Sequence, residues 1–432
     1  MTDHKQINIE VPVLTRVEGE GALELSIKDG CIDKLHLRIF EPPRFFEKLL
    51  EGRPYTDVLD VVARICGICP VAYQMSAVHA IESIFGIDAG PWVRAMRRLM
   101  YCGEWIESHA LHIHLLAAPD FLGYDNAIVM AKQYPDVVRR GLYLQALGNR
   151  LLRLLGGRSV HPVGACVGGF FSAPAMDDVK NLLQEFKQAL PMAKKLVLWT
   201  ASLELPEDQQ DFMNVALRRA DEYPMNEGRI VSSIGLDIAI DEYQQYFKES
   251  HAPHSTALHS HLNGQPYLVG PLARINLNYD KLPDEVQCVI RETGVNFPSN
   301  NMFHSVIVRA IEIHYAIWQA IQIMEHYSIP DSAHVMVSPK AGIGFGCTEA
   351  PRGILWHRYE LADDGNVRNA VIIPPTSQNQ ARIEQDLGLS LKAFGLEQDE
   401  DALRHRSETV IRNYDPCISC STHFLKLKVD RQ

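Results

Sequence analysis

Two short stretches decide the fold of this chain: "RICGICP" at residues 64–70 and "DPCISCSTH" at residues 415–423. Each contains two cysteines separated by two residues, a spacing that lets both sulfur atoms reach one metal ion. Four thiolates can share one ion only if the C-terminal end of the chain packs against a segment from its first quarter. The sequence therefore points to a site that the last residues of the chain close.

Length and composition exclude several classes of protein. The 432 residues are 46% hydrophobic and 22% charged, as in an ordinary globular protein. A formal net charge of −11 argues against nucleic-acid binding through phosphate contacts. No apolar run approaches the roughly 20 residues that span a bilayer, and the first residues show no signal-peptide pattern. We expect a cytoplasmic protein without a membrane span.

The N-terminal part has the pattern of antiparallel strands. Within residues 1–45, "GALELSI" and "CIDKLHLRIF" flank "KDG", and Asp-Gly is a hairpin turn signal. The remainder has helical spacing, without internal repeats or a low-complexity linker. The predicted fold class is α+β and mainly α-helical. We expect a single domain, residues 1–432, with a large helical bundle core after an N-terminal antiparallel β-meander.

Helical periodicity dominates the middle of the chain. One helix is predicted to begin after Pro70 and to end at Gly86, a plausible C-terminal cap. Further helices are predicted near residues 92–117, 127–155, 176–204 and 302–327. Pro191 is expected to kink or divide the third of these. The regions 251–280 and 329–376 are rich in Gly, Pro, Ser and His, which predicts irregular or short-stranded structure.

The nine cysteines are an odd number at low density, which is not a disulfide framework. The two close pairs indicate metal or redox chemistry in a reducing compartment. Structural zinc is the commonest occupant of paired Cys-x-x-Cys motifs, although zinc ribbons separate their pairs by only about 15–20 residues. A redox or catalytic metal is the second interpretation. A thioredoxin-like dithiol needs a βαβ pattern, which is missing around Cys66.

Charged residues near the pairs favour proton handling at a metal. Asp415 precedes Cys417 by two residues, Glu18 lies in "LTRVEGEG", and Arg352 lies between a proline and a glycine in "APRGIL". Each alone also fits an ordinary role, a surface carboxylate for Glu18 and a salt-bridged turn residue for Arg352. The choice between these roles depends on the rest of the chain.

Eight segments, taken in order, resemble the large subunit of nickel–iron hydrogenases. They are "TRVEGEG", "PPRFFEKLLEGRP", "RICGICP", "GGRSVHP", "YLVGPLARINLN", "APRGIL", "IIPPTSQN" and "DPCISCSTH". The resemblance covers the whole chain and outweighs the structural-zinc interpretation, because chance does not supply so many ordered segments. It implies the nickel–iron hydrogenase large-subunit fold and the reversible cleavage of dihydrogen to protons and electrons.

In this family four cysteines hold a nickel–iron centre whose iron carries cyanide and carbon monoxide, Ni-Fe(CN)2(CO). The resemblance implies that Cys66 and Cys417 are terminal nickel ligands and that Cys69 and Cys420 also bridge to the iron. Soft thiolates suit nickel, and a terminal thiolate can accept a proton. The other five cysteines show no iron–sulfur spacing, so we expect no iron–sulfur cluster in this chain.

The resemblance also assigns catalytic roles. Glu18 matches a proton-relay glutamate beside the C-terminal cysteines. Arg352, which follows Pro351, matches an arginine poised above the open metal position. Asp415 and Asp120 match the carboxylates that hold this arginine.

Two further assignments concern the second half of the chain. Thr376 matches a hydroxyl that hydrogen-bonds a cyanide ligand. Glu47, His423 and the backbone carbonyl of Ile372 match the ligands of a second metal site. That site is implied to hold Mg2+, or Fe2+ instead, because histidine is an unusual ligand for a hard cation.

Two features concern the family pattern. Many relatives have a histidine where this chain has Tyr73, so hydrogen bonding to a bridging sulfur is expected to differ. The segment "FLKLKVDRQ", residues 424–432, resembles the tail that a maturation endopeptidase removes after nickel insertion.

The resemblance implies partner subunits as well. Hydrogen oxidation releases single electrons, so an iron–sulfur small subunit must pack against this chain, and flavin- and iron–sulfur-containing diaphorase subunits are expected beyond it. "CGICPVAYQMSA" and "EPPRFFE" most resemble the cytoplasmic NADP-linked bidirectional type, also called sulfhydrogenase, for which sulfur reduction is a further activity. The alternatives are an NAD-linked bidirectional hydrogenase and an H2-sensing regulatory hydrogenase.

Four histidines in "HAPHSTALHSH", residues 251–261, invite comparison with a metal site. The stretch is irregular in pattern and has no carboxylate or cysteine nearby in sequence. We therefore predict that these histidines are solvent-exposed or hydrogen-bonded and bind no metal.

Overall fold

The computed structural model of the chain describes residues 6–422. The strands within this range are β1 (Gln6–Val11), β2 (Gly21–Lys28), β3 (Cys31–Ile39), β4 (Ala165–Cys166), β5 (Gly169–Phe170), β6 (Val215–Arg218), β7 (Arg229–Ser232), β8 (Asp237–Ile238), β9 (Phe247–His251), β10 (Leu258–Leu262), β11 (Gly342–Ala350), β12 (Gly353–Leu361) and β13 (Val367–Ile373). All the paired strands are antiparallel, in sheets ordered β1-β2-β3, β6-β7-β8 and β11-β12-β13 and in the pairs β4-β5 and β9-β10.

Helices are the commonest regular element of the described chain. They are α1 (Phe46–Leu50), α2 (Tyr55–Val62), α3 (Pro70–Phe85), α4 (Gly90–Leu111), α5 (Ala118–Leu122), α6 (Ala127–Met130), α7 (Pro135–Gly156), α8 (Met176–Ala201), α9 (Tyr243–Tyr246), α10 (Pro271–Asn278), α11 (Asp284–Thr293), α12 (Ser305–Glu325), α13 (Pro375–Phe394) and α14 (Glu400–Asn413). A π-helical turn, His112–Ala117, continues α4. In this described range, no helix has the length and apolar character needed to cross a bilayer.

The predicted N-terminal meander is confirmed. Strands β2 and β3 are joined by Asp29 and Gly30, with φ angles of 51° and 74°. A two-residue hairpin turn needs positive φ at both positions, which explains the Asp-Gly signal. Along β1, Ile7, Ile9 and Val11 are buried and alternate with exposed residues, so one face of the sheet covers the core.

The predicted helical core is confirmed, with differences in two helices. Helix α4 packs against α7 and α12, and α12 packs against α8. The region 127–155 contains two helices, because Pro135 occupies the first turn of α7 and cannot continue the preceding one. Helix α8 is not divided at Pro191. Pro191 is exposed, so water can satisfy the carbonyl group that loses its helical partner.

The prediction of irregular or short-stranded structure was wrong for much of 329–376, which contains the three long strands β11, β12 and β13. In 251–280 the short strand β10 agrees with it, whereas the helix α10 does not. The "GIGFG" run, residues 342–346, begins β11, which lies directly against α3. A Cβ atom on Gly344 would collide with the Ala80 carbonyl, and one on Gly346 with the Ser76 carbonyl. These glycines therefore allow close strand–helix packing.

Candidate metal centre

The structure brings the two cysteine pairs together. Cys66 and Cys69 lie in the turn before α3, and Cys417 and Cys420 lie after α14. The Sγ atoms of Cys66 and Cys417 are 3.5 Å apart, those of Cys69 and Cys420 are 4.0 Å apart, and all four lie within 4.8 Å of one another. None of the four is more than 3% exposed, and none is in a disulfide. The donor set suits a soft metal in a closed site.

The first pair is held by the start of α3. The backbone N–H groups of Ile68 and Cys69 both donate to Cys66 Sγ at 3.3 Å, an arrangement that stabilises a thiolate. The fully buried carboxyl of Glu104, on α4, accepts hydrogen bonds from the N–H groups of Val71 at 2.6 Å and Ala72 at 3.1 Å. It thereby satisfies the free donors of the first turn of α3 and fixes the cysteine turn.

The second pair is tied to the N-terminal part of the chain. The Ile418 N–H donates to the Glu18 carbonyl at 2.9 Å, and the Arg44 N–H donates to the Thr422 carbonyl at 2.7 Å. The Arg44 guanidinium donates to the carbonyls of both Ile65 and Ser419, so one side chain joins the two cysteine segments. These contacts explain how residues from opposite ends of the sequence form one site.

The thiols titrate as an interacting group. Hydrogen bonds from the other cysteines, first that of Cys417, hold the pKa of Cys66 well below its ordinary value. Burial, followed by the neighbouring thiols, raises the pKa of Cys417 well above the ordinary value. Several thiolates at such short separations repel one another, so a cation is needed to neutralise the set.

Arg352 faces the cysteines from the turn between β11 and β12, directly after buried Pro351. It is 3% exposed, and it donates from Nε to the Asp415 carbonyl at 2.7 Å and from Nη2 to Asp415 Oδ1 at 3.0 Å. Among the described residues its buried Nη1 has no hydrogen-bond partner. An unpaired buried donor is costly, so this atom fits a polar ligand that the cysteine cavity would hold.

Asp415 also contacts a second arginine. Arg309, on α12, lies 3.3 Å from Asp415 Oδ2 through Nη1. Burial alone would raise the pKa of Asp415, but Arg352, His112 and Arg309 outweigh it and lower the pKa. Asp415 has a φ of 56°, an uncommon conformation for a residue with a side chain, so the backbone is strained where the carboxylate meets Arg352.

Glu18 lies beside the second cysteine pair. Its Oε2 atom is 3.1 Å from Cys417 Sγ and accepts a hydrogen bond from the Ser419 N–H, also at 3.1 Å. The Ser419 hydroxyl donates to Glu41 Oε2 at 3.0 Å. Both carboxylates are partly exposed and contact Ser419, Glu18 at its backbone N–H and Glu41 at its hydroxyl. The hydroxyl of Thr376 closes another side, accepting the Cys417 N–H at 3.0 Å.

The predicted contact between Asp120 and Arg352 was wrong. Asp120 forms ion pairs with Arg16 and, at 3.1 Å, with Arg412. Asp120 lies in α5, directly after the π-helical turn. Its carboxylate faces the contact between α14 and the N-terminal part of the chain. Its ion pairs stabilise this junction, and Asp415 is the carboxylate that holds Arg352.

The second predicted metal site is described in part. Glu47, in the first turn of α1, accepts a hydrogen bond from the Ile372 N–H at 2.7 Å, so these two residues are adjacent. His423 lies outside the described residues, as does the predicted tail 424–432. The contact uses the Ile372 N–H rather than the predicted carbonyl ligand, and the second metal site stays a prediction.

Three residues near the cysteines were missed by the sequence reasoning: Glu104, Glu107 and Arg309. Burial raises the pKa of Glu107 well above its usual value, with Arg352 as the nearest opposing charge. All three lie inside long buried helices, where a charge is rare unless it is paired. The sequence signal that could have found these residues was a charged side chain on the apolar face of the helix that became α4 or α12.

Tyr73 lies on α3, four residues after Cys69. It is 1% exposed on α3, and within residues 6–422 its hydroxyl has no hydrogen-bond partner. Burial raises its pKa well above the ordinary value, with the negative cysteines adding to the effect. Tyr73 therefore stays neutral, and its O–H group has no acceptor among these described residues.

Comparison with known proteins identifies the class. The sequence pattern of the nickel-dependent hydrogenase family matches residues 44–139 and 239–423, and the chain belongs to this family. It is 34% identical to the α subunit of sulfhydrogenase 2 and 33% identical to that of sulfhydrogenase 1, both from Pyrococcus furiosus. These alignments cover 97% of this chain and 100% of each relative.

A solved structure agrees with this assignment. The crystal structure of an NAD+-reducing NiFe hydrogenase in the H2-reduced state superposes with a TM-score of 0.87 and 26% identity, covering 98% of this chain and 100% of that one. The predicted family and its large-subunit fold are confirmed. The buried quartet and the unpaired Arg352 donor fit the nickel–iron centre that the family implies.

Proposed function

We propose that this chain is the catalytic large subunit of a cytoplasmic, bidirectional NADP-linked hydrogenase. Electrons from dihydrogen would leave through an iron–sulfur small subunit and reach NADP on flavin- and iron–sulfur-containing diaphorase subunits. The observation that carries the proposal is the closed cysteine quartet with a carboxylate oxygen of Glu18 only 3.1 Å from Cys417 Sγ.

Cys66, Cys69, Cys417 and Cys420 would hold the nickel–iron centre. When bound, this centre supplies the site at which dihydrogen is polarised and its electrons are taken up. Cys417 Sγ holds the released proton, because a terminal thiolate is basic and lies within hydrogen-bond reach of Glu18. Glu18 then passes the proton outward past Ser419 and Glu41.

Arg352 supplies positive charge and a free donor on the opposite side. Its double contact with Asp415 fixes the guanidinium plane, and Pro351 limits the backbone freedom of the turn. A preorganised cation costs no reorganisation during the reaction. The Thr376 hydroxyl, whose oxygen already accepts from Cys417, keeps its own proton for a polar ligand of the iron.

The second metal site is proposed to hold Mg2+ or Fe2+. Glu47 and the carbonyl of Ile372 would supply oxygen ligands, and His423 the third ligand. An oxygen-rich set favours Mg2+, whereas the histidine favours iron. The ion would fix the end of the cysteine-bearing segment against α1 and β13.

A partner that accepts electrons is supported by the remaining cysteines and by an exposed apolar face. Within the described range the remaining five cysteines form no cluster suited to a metal. Phe171 and Met336, 69% and 92% exposed, border one open pocket of about 300 Å3 near Cys166. Contiguous exposed apolar patches mark interaction sites, whereas single exposed side chains do not, and these two residues border the same pocket. We propose that the iron–sulfur subunit packs here.

The similarity to sulfhydrogenase α subunits, the type described above as NADP-linked, favours NADP over NAD as the electron acceptor. The two sulfhydrogenase α subunits are more similar in sequence than the NAD+-reducing enzyme, at 34% and 33% against 26% identity. The TM-score of 0.87 to the NAD+-reducing enzyme keeps NAD as the second candidate acceptor. Sulfur reduction is proposed as an additional activity, and a maturation endopeptidase would remove residues 424–432.

The test uses the complex purified anaerobically from its source. Elemental mass spectrometry is expected to find one nickel per chain, and hydrogen-dependent reduction is expected to show a higher kcat/KM for NADP than for NAD. A higher kcat/KM for NAD than for NADP would instead identify NAD as the electron acceptor. A complex without nickel that still oxidises hydrogen would overturn the role of the quartet.

A further inference from the structure

A second group of metal-ligating side chains lies at the edge of the molecule. His254 lies in the turn between β9 and β10, His259 lies on β10, and Glu384 lies on α13. One ligand atom from each residue lies within 4.8 Å of those of the other two. His254 Nε2 and Glu384 Oε1 are 2.8 Å apart. The carboxylate that the sequence did not place near these histidines is thus supplied by a helix more than a hundred residues away.

His259 is the informative member of this group. It is only 7% exposed, and across the described chain its Nε2 atom has no hydrogen-bond partner. A buried imidazole without a partner is costly unless a ligand is bound to it. Burial lowers its pKa to about 4, so the ring is neutral and available as a ligand at neutral pH.

The other two ligands are fixed by neighbouring elements. Glu384 Oε1 accepts the Leu37 N–H, from β3, at 2.9 Å. The His254 ring stacks on His36 with a centroid separation of 4.0 Å and an interplanar angle of 2°. The Thr256 hydroxyl donates to the carbonyls of Ile39 and Glu41 at 3.0 Å and holds the hairpin against the N-terminal sheet. The ligands are therefore arranged before an ion arrives.

The chemistry of the group selects the ion. Two imidazoles and one carboxylate form a nitrogen- and oxygen-rich set that suits Zn2+ and similar borderline cations and differs from the all-sulfur quartet. The His254 and Glu384 side chains are 18% and 17% exposed, which gives an ion an entry path and leaves room for water.

We propose that His254, His259 and Glu384 bind one zinc ion, with water completing a tetrahedral site, and that this ion fixes the β9–β10 hairpin and the sheet edge at β3 to α13. Helix α13 also carries Thr376 in its first turn, and eight residues, about 12 Å of helix, separate Thr376 from Glu384. The zinc site would therefore stabilise the helix that borders the quartet. It does not depend on nickel or on the electron acceptor.

The experiment is a zinc titration of the holoenzyme after dialysis against EDTA. Equilibrium dialysis with elemental mass spectrometry would count bound zinc for the wild type and for the variants His259→Ala and Glu384→Gln. The control variant is His251→Ala, because His251 is exposed on the same hairpin and lies outside the group. Co2+ can replace Zn2+, and its visible absorption reports coordination directly.

We expect one additional zinc per wild-type chain, unchanged in His251→Ala. Affinity should fall at least about 100-fold in His259→Ala and in Glu384→Gln, because loss of a residue that only hydrogen-bonds a metal ligand already costs about 10–100-fold. Glutamine keeps an oxygen for Leu37, so Glu384→Gln retains the local fold if His259→Ala does not. Absence of an additional zinc, or equal zinc binding in the wild type and in Glu384→Gln, would overturn the proposal.

Discussion

The cysteine quartet and the His254–His259–Glu384 group differ in how they are built. The quartet is at most 3% exposed and takes its ligands in two pairs, each from one tight turn. The histidine–glutamate group lies at an edge and takes its ligands from a turn, a strand and a helix. A site whose ligands come in pairs leaves a signature in the sequence. A site assembled from single ligands becomes visible only when the fold brings them together.

The surroundings of the two groups differ as much as their ligands. Charged groups face the quartet, with Glu18 on one side and Arg352 on the other, as proton transfer requires. The histidine–glutamate group is bordered by the stacked His36 ring and the Leu37 N–H, and these contacts fix the positions of its side chains. Substitutions near the quartet should therefore abolish chemistry, whereas substitutions near the other group should change zinc affinity and leave turnover intact.

The largest effect is expected for Cys417→Ser. A serine oxygen does not replace a soft thiolate toward nickel, so nickel content and hydrogen oxidation should both be lost, with activity falling at least about 10³-fold. Nickel analysis and a hydrogen-uptake assay of the purified complex measure the change. Cys31→Ser is the control, because Cys31 is an exposed cysteine outside the quartet. Retention of both nickel and activity in Cys417→Ser would contradict the proposed ligand set.

Glu18→Gln should separate proton transfer from metal binding. Glutamine is nearly the same size but cannot take up the proton of Cys417, so hydrogen oxidation should fall about 10³-fold, within the range for loss of a general acid or base. Nickel content should stay at one per chain, since Glu18 is not among the four cysteine ligands.

The control for Glu18→Gln is Glu20→Gln, because Glu20 is exposed and two residues away. Equal hydrogen-oxidation rates in Glu18→Gln and the wild type would show that protons leave by another route. Loss of nickel from Glu18→Gln would assign Glu18 a structural role at the site instead.

Much of this site was predictable because the sequence keeps its residues in short, recognisable segments. "RICGICP" and "DPCISCSTH" predicted the quartet, "LTRVEGEG" placed Glu18, and the Asp-Gly turn predicted the N-terminal hairpin. Their local spacing is directly tied to geometry. The partner of Asp120 was predicted wrongly because it depends on how α14 meets the N-terminal strands.

Other features were hidden because they depend on long-range packing. Glu104 and Arg309 lie within apolar helices, and only the position of α3 or Asp415 shows what they contact. The glycines of β11 made the segment look irregular, because the sequence pattern contains no sign of α3 lying against them. Likewise, His259 and Glu384 are 125 positions apart, so no sequence window contains both.

A smaller loss is expected for Arg352→Lys. Lysine keeps the charge but cannot make both contacts with Asp415 while aiming a further donor at the cavity. Hydrogen oxidation should fall roughly 10²-fold, as for removal of one preorganised donor, with nickel retained. Arg358→Lys, on strand β12 and away from the quartet, is the control and should keep full activity. An unchanged rate in Arg352→Lys would show that charge alone suffices.

The smallest predicted effect concerns His114, a buried histidine that differs from His259 in its hydrogen bonds. Unlike His259, fully buried His114 has partners on both ring nitrogens: Nδ1 donates to the Ala110 carbonyl at 2.9 Å, and Nε2 accepts from Arg140 Nε at 3.2 Å. Burial, and then Arg140, lower its pKa to about 3. Protonation would place two cations in contact, so His114 belongs to the interior rather than to a metal site.

This depressed pKa has a defined sign for stability. Between pH 6.5 and 3 the unfolded chain binds a proton at His114 that the folded chain does not, so acidification favours unfolding. Going from pH 7 to pH 5 should cost about 2 kcal/mol of unfolding free energy through this residue. Urea denaturation at both pH values should show a loss smaller by about that amount in His114→Gln. His326→Gln, at an exposed position, should lose as much as the wild type. An equal loss in His114→Gln would mean that Arg140 moves away and lets the ring ionise.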